Sequence, residues 1–143
     1  MIALAVGIAD GQGLGDNSKA SIITRGLAET TRLAVAMGAQ QHTLSGLAGL
    51  GDLVATCASP LSRNRTFGRL LGEGNTVDEV AAQMTQTAEG VKTAPAVLAL
   101  GDTYGVELPI TQAVAAALDG SLAVSDLSGV LLARKRKDEA PVR

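Results

Sequence analysis

The sequence predicts an all-α protein, and three observations carry that reading. Apolar residues recur at helical spacing in segment after segment, and no stretch alternates apolar and polar residues over a strand's length. Ser, Thr or Asn precedes several periodic segments and Gly follows them, as helix caps do. Aromatic residues make up 1% of the chain, so the core must come from Leu, Val, Ile and Ala, which suits close helix–helix packing. About six to eight helices fit a single domain of 143 residues.

The elements follow in order. Residues 2–8 read as an apolar element that begins without a polar entry, which predicts that the natural chain continues upstream. Residues 10–16 read as a glycine-rich loop. Asn17 or Ser18 then caps a long helix to about Met37, closed by Gly38. Its apolar stripe is Ile22, Ile23, Leu27, Leu33, Val35 and Met37, with Arg25, Glu29 and Arg32 on a polar side. Thr43 caps a short helix to Leu47, and residues 52–57 continue as helix. Ser59-Pro60 is a turn, Ser62 caps a basic helix to about Leu71, and Gly72-Glu73-Gly74 ends it. Thr76 opens a helix over 77–84, with Asp78 and Glu79 in its first turn, where the helix dipole favours acids. Residues 93–100 form the body of another helix, begun near Glu89. Leu108-Pro109-Ile110 is an extended link, 111–118 is helical to Gly120, and 127–134 is the last helix.

Composition narrows the function. With 46% hydrophobic and 18% charged residues this is a globular composition, and a net charge of −2 argues against a nucleic-acid or membrane-surface binder. Cys57 is the only cysteine, which excludes an internal disulfide and fits a reducing, cytoplasmic setting. The apolar start has no basic region before it, so no signal peptide is expected, and no apolar run reaches a membrane span.

Four clusters could carry chemistry. Gly11-Gln12-Gly13-Leu14-Gly15 lacks the third glycine of a dinucleotide fingerprint, since Asp16 stands there, and reads better as a turn. Lys19 lies in the first turn of a helix, where a cation opposes the dipole. It is either a solvated side chain or a cation directed at an anion or at Asp52. Asp52, among Gly49, Leu50, Gly51, Leu53 and Val54, is either a buried or half-buried site carboxylate or a cap. Ser62-Arg63-Asn64-Arg65 joins a capping hydroxyl, a helix N-terminus and two guanidinium groups, residue types that hold phosphate. The plainer reading is a solvated basic face shared with Arg69. His42, the only histidine, lies in a polar loop and supports no His-based catalysis, and the basic run 134–137 reads as a solvated end.

Taken in order, these runs resemble the C-terminal, substrate-binding domain of bacterial NAD(P)-dependent glycerol-3-phosphate dehydrogenases. The similarity runs from Ile2-Ala3-Leu4-Ala5 and Asp16-Asn17-Ser18-Lys19-Ala20 through Gly49-Leu50-Gly51-Asp52-Leu53 and Ser62-Arg63-Asn64-Arg65. It ends on Glu89-Gly90-Val91 and Glu107-Leu108-Pro109-Ile110. The resemblance implies a multi-helix bundle similar to the 6-phosphogluconate dehydrogenase C-terminal-like domain, spanning residues 1–143. It implies hydride transfer between NAD or NADP and dihydroxyacetone phosphate, giving sn-glycerol 3-phosphate for phospholipid synthesis. Asp52, Thr56, Ser62, Arg63 and Asn64 would meet substrate, Arg63, Thr87 and Glu89 the cofactor, and Lys19 with Asp52 would support catalysis. The family's catalytic lysine falls upstream of Ile2, in company with an N-terminal Rossmann domain that this sequence does not contain. This polypeptide alone is therefore expected to be inactive, and a homodimer is possible. The alternative is a non-catalytic helical phosphate-binding or dimerisation module.

Overall fold

Residues 3–9 of α1 (Ile2–Gly11) are all buried, so this helix is the axis of the bundle, packed against five others. The computed structural model describes residues 1–86 and 88–133. Around α1 stand α2 (Asp16–Ala36), α3 (Gln41–Ser45), a π-helical turn (Leu47–Gly51) and α4 (Asp52–Ala58). They are followed by α5 (Arg63–Gly72), α6 (Val77–Gln83), α7 (Glu89–Tyr104), α8 (Pro109–Asp119) and α9 (Val124–Ala133). Among the described residues there is no strand, and the fold is all-α as the sequence predicts.

The central packing is between α1 and α5, and four glycines make it possible. A Cβ on Gly7 would land on the Arg65 carbonyl oxygen, and one on Gly11 on that of Arg69. Reciprocally, Gly68 abuts the Leu4 carbonyl and Gly72 that of Ile8. Each pair is spaced by four residues, one face of a helix, so the two backbones meet along two glycine stripes. Around this crossing, Leu4, Ile8, Ile22, Leu71, Val80, Val114 and Leu127 are fully enclosed. This contact explains the first departure from expectation. Gly11 serves packing rather than a turn, so α1 continues through Asp10 and Gly11 and the loop shrinks to residues 12–15. There Gly13 alone takes a left-handed φ of +75°.

Further boundaries moved for local reasons. Gly15, rather than Asn17 or Ser18, is the N-cap of α2, its carbonyl accepting from the amides of Ser18 (3.1 Å) and Lys19 (3.3 Å). Gln40, rather than Thr43, precedes α3, and the expected helix to Leu47 breaks at Gly46. The Gly51 amide then donates to the Gly46 carbonyl at 3.2 Å, the spacing of a π turn, before α4 begins at Asp52. Pro109 and Ile110 belong to α8, with Pro at its first position, where its missing N–H costs nothing. The last helix begins at Val124, and residue 134 with the basic run lies outside the described residues. Ser62, Thr76, Gly38 and Gly120 bound their helices as expected, Thr76 with a full capping box to Glu79.

Glu29 overturns the polar side assigned to α2. It is 3% exposed and accepts from the backbone amides of Ile110 (2.7 Å) and Thr111 (3.1 Å) and from the Thr111 hydroxyl (2.6 Å). A carboxylate on the first turn of α8 satisfies amides that the helix itself cannot, and the dipole favours its charge. Ile22 is buried in the apolar stripe, whereas Val35 and Met37 are exposed. Cys57 is buried, and desolvation pushes its thiol up to about 11.

Candidate functional site

The start of α5 concentrates hydrogen-bond donors. Ser62 Oγ accepts the Arg65 amide at 3.2 Å, so its hydroxyl hydrogen remains to donate outward. Asn64 Oδ1 accepts the Gly90 amide at 2.9 Å, which turns the Asn64 NH2 group away from that contact, without a partner among the described residues. Arg63 is 48% exposed and donates to Gln86 Oε1 at 2.8 Å, with Glu89 Oε1 3.9 Å away. An exposed pair at that distance contributes little, so the guanidinium can exchange it for a better anion. The first-turn amides of Arg63 and Asn64 have no carbonyl one turn earlier to bond. Donors converge here with a helix dipole behind them, which is the chemistry of an anion site.

Arg65 does not join them. Its guanidinium donates to Asp10 Oδ2 at 2.9 Å and is largely enclosed, so the expected pair of phosphate-gripping arginines reduces to Arg63. Arg69 pairs with Glu73 one turn on. The basic face is therefore broken rather than absent: Arg65 is enclosed on Asp10, while Arg63 and Arg69 stay partly solvated beside Glu89 and Glu73.

Lys19 also departs from expectation. It binds Asp10 Oδ1 at 2.9 Å and Asp16 at 3.0 Å rather than Asp52, which satisfies a cation placed at the wrong end of a helix. Those carboxylates raise its pKa, Asp10 foremost. Asp52 is exposed, neither buried nor half-buried, and its carboxylate has no partner among the described residues. The apolar run around it is itself uncovered: Leu47 is 90% exposed, and Leu50 and Val54 are open too. Thr56 follows Asp52 by four residues on the same face of α4. Thr87 lies outside the described residues. Glu89 is exposed beside Arg63, and His42 is on the surface.

Asp10 is the residue that sequence reasoning missed. It lay inside an assumed loop, and only a spacing of 55 residues in the chain links it to Arg65. Elsewhere, a groove of about 780 Å³ runs along the C-terminal end of α5, lined by Gln12, Leu14, Asn75, Val77, Leu122 and Ser128 among others. None of the described residues that line it is cationic, and its position at the far end of α5 separates it from Arg63. Among the described residues no cluster of His, Cys, Asp and Glu could hold a metal, and no helix is long and apolar enough to cross a membrane.

The family profile described as NAD-dependent glycerol-3-phosphate dehydrogenase C-terminus matches residues 1–128. A glycerol-3-phosphate dehydrogenase [NAD(P)+] from Thermobifida fusca is 61% identical over 139 residues, covering 97% of this chain and 41% of the relative. The crystal structure of glycerol-3-phosphate dehydrogenase from Coxiella burnetii matches with a TM-score of 0.89 at 44% identity, over 93% of this chain and 41% of that one. The glycerol-3-phosphate dehydrogenase of Saccharomyces cerevisiae matches at 0.80 and 28% identity, over 91% and 38%. The chain spans about two-fifths of the length of these relatives. Its helix order, and a sequence profile that runs from the buried α1 into α9, place it in one family: the chain belongs to the C-terminal domain family of NAD-dependent glycerol-3-phosphate dehydrogenases.

Proposed function

We propose that this chain is the substrate-binding domain of an enzyme that interconverts dihydroxyacetone phosphate and sn-glycerol 3-phosphate with NAD(H) or NADP(H). The observation that carries the reading is the donor-rich start of α5, where Ser62, Arg63 and Asn64 have hydrogens to offer a phosphate monoester. The relatives supply the reaction by name.

Each residue then has a task. Asn64 is held by Gly90 and Ser62 by the Arg65 amide, so both present their remaining hydrogens to the phosphate from fixed positions. Arg63, with Glu89 beside it, moves from Gln86 to the phosphate and also meets the cofactor, a role that Glu89 and Thr87 share. Asp52, exposed on α4, and the half-buried Thr56 one turn later orient the carbon end of the substrate. When bound, the nicotinamide supplies or receives the hydride. No strand is present among the described residues, so this domain offers the cofactor an edge and a second, nucleotide-binding domain provides its cradle. A carbonyl reduced by hydride needs a proton donor at the developing alkoxide. That donor is a lysine brought by the second domain, with Asp52 as its partner. The uncovered apolar side chains around Asp52 support a face closed by other protein surface, from that domain or from a second copy. The product feeds phospholipid synthesis in the cytoplasm.

The test is to assay oxidation of NADH and NADPH with dihydroxyacetone phosphate by this chain alone and by a chimera. In the chimera this domain replaces its counterpart in the Thermobifida fusca relative. The chain alone is expected to be silent and the chimera active. An inactive chimera that folds rejects the dehydrogenase reading, and turnover by the chain alone rejects the need for a second domain.

A further inference from the structure

We infer that Asp10 is a positioning residue that sets the Ser62–Asn64 turn through Arg65, an inference that rests on reading that turn as the phosphate end of the site. Arg65 is fixed at three points. Its carbonyl oxygen lies against Gly7, where a Cβ would collide with it. Its amide donates to Ser62 Oγ at 3.2 Å and so joins the capping turn. Its guanidinium ends on Asp10 Oδ2 at 2.9 Å. Asp10 leaves α1 one turn after Gly7, so one helix clamps both the backbone and the side chain of Arg65.

The charge arrangement favours a single geometry. Asp10 divides its two oxygens between Arg65 and Lys19, each at 2.9 Å, and all three side chains are at least three-quarters enclosed. Removing the carboxylate leaves two enclosed cations without their shared partner, and Asp16 is already paired with Lys19. Arg65 must then turn outward, toward the anion position that Arg63 serves. The α5 start loses the anchor that holds Ser62 as its cap and Asn64 against Gly90. Asp10 touches no substrate in this arrangement; it acts through Arg65.

The test uses the 143-residue chain, with amide and arginine side-chain resonances followed by NMR. In Asp10→Asn, the Gly90 amide and the Arg63 and Arg65 side-chain signals should shift, while α9 signals stay in place. Affinity for glycerol 3-phosphate should fall about tenfold. Lys19→Gln, which spares the Asp10–Arg65 pair, should leave the Gly90 signal unmoved. Should Asp10→Asn not fold, the wild type answers the same question. The hydrogen bond from Lys19 above all, with the charges of Lys19, Arg65 and Arg69, holds the Asp10 carboxyl below its ordinary range. The Arg65 and Gly90 signals should titrate together with that carboxyl. Gly90 and Arg63 signals that ignore both the substitution and the titration overturn the inference. Normal coupling of these signals with no response of residues 62–64 to glycerol 3-phosphate overturns the phosphate reading instead and leaves the positioning intact.

Discussion

The crossing of α1 and α5 and the arm formed by α3, the π turn and α4 are built on opposite terms. At the crossing, two backbones touch through Gly7, Gly11, Gly68 and Gly72, and among the described residues no fully buried side-chain polar atom lacks a partner. On the arm, Leu47 is 90% exposed, Leu50 and Val54 are open, and Asp52 faces outward without a partner among the described residues. The crossing is closed by this chain, and the arm is left uncovered by the described residues. The proposed site straddles the two: its phosphate end grows from the crossing and its catalytic end from the arm.

Substitutions should separate the two regions by size of effect. Gly68→Ala drives a methyl into the Leu4 carbonyl and should cost roughly 3 kcal/mol or more, read as a lowered urea midpoint. Gly68 losing less than a quarter of that would mean that the helices can separate at little cost. Glu29→Gln replaces a carboxylate that accepts three hydrogen bonds at the α8 start and should cost about 2 kcal/mol in the same assay. The control runs the other way. Gly129 is exposed in α9 with open space around its Cα, so Gly129→Ala should stabilise by up to about 1 kcal/mol. On the arm, Asp52→Asn should change stability by less than about 0.5 kcal/mol. A large loss there would show that Asp52 holds the domain together and is not kept for a ligand.

The same division explains what the sequence made legible. Caps are local, so Ser62 and Thr76 announced α5 and α6 correctly, and Gly120 marked the end of α8. Long-range pairing is silent in a linear reading. Glu29 looked like a surface acid because its amide partners lie 81 and 82 residues away. Asp10 and Arg65 were likewise divided by the loop assigned to residues 10–16, although the spacing Gly7-x3-Gly11 matched by Gly68-x3-Gly72 was there to be read as one contact. Apolar neighbours favoured an enclosed Asp52 over the other reading, a cap, and Asp52 in fact opens α4 in the exposed state. That inference assumed that this chain supplies the cover, and the exposed arm shows that its described residues do not. Of the basic run, Arg63 and Asn64 stand where a ligand could meet them and Arg65 does not. The difference lay in a partner on α1, not in the residue type.

The central claim is that the α5 start holds the phosphate. Titrating glycerol 3-phosphate into the wild-type chain and into Arg63→Ala, followed by amide NMR, tests it most directly. The account predicts saturable shifts at Ser62, Arg63, Asn64 and Gly90 in the wild type, and an affinity at least about tenfold weaker in the variant. Equal binding by both proteins, or shifts confined to the groove at the far end of α5, would contradict it.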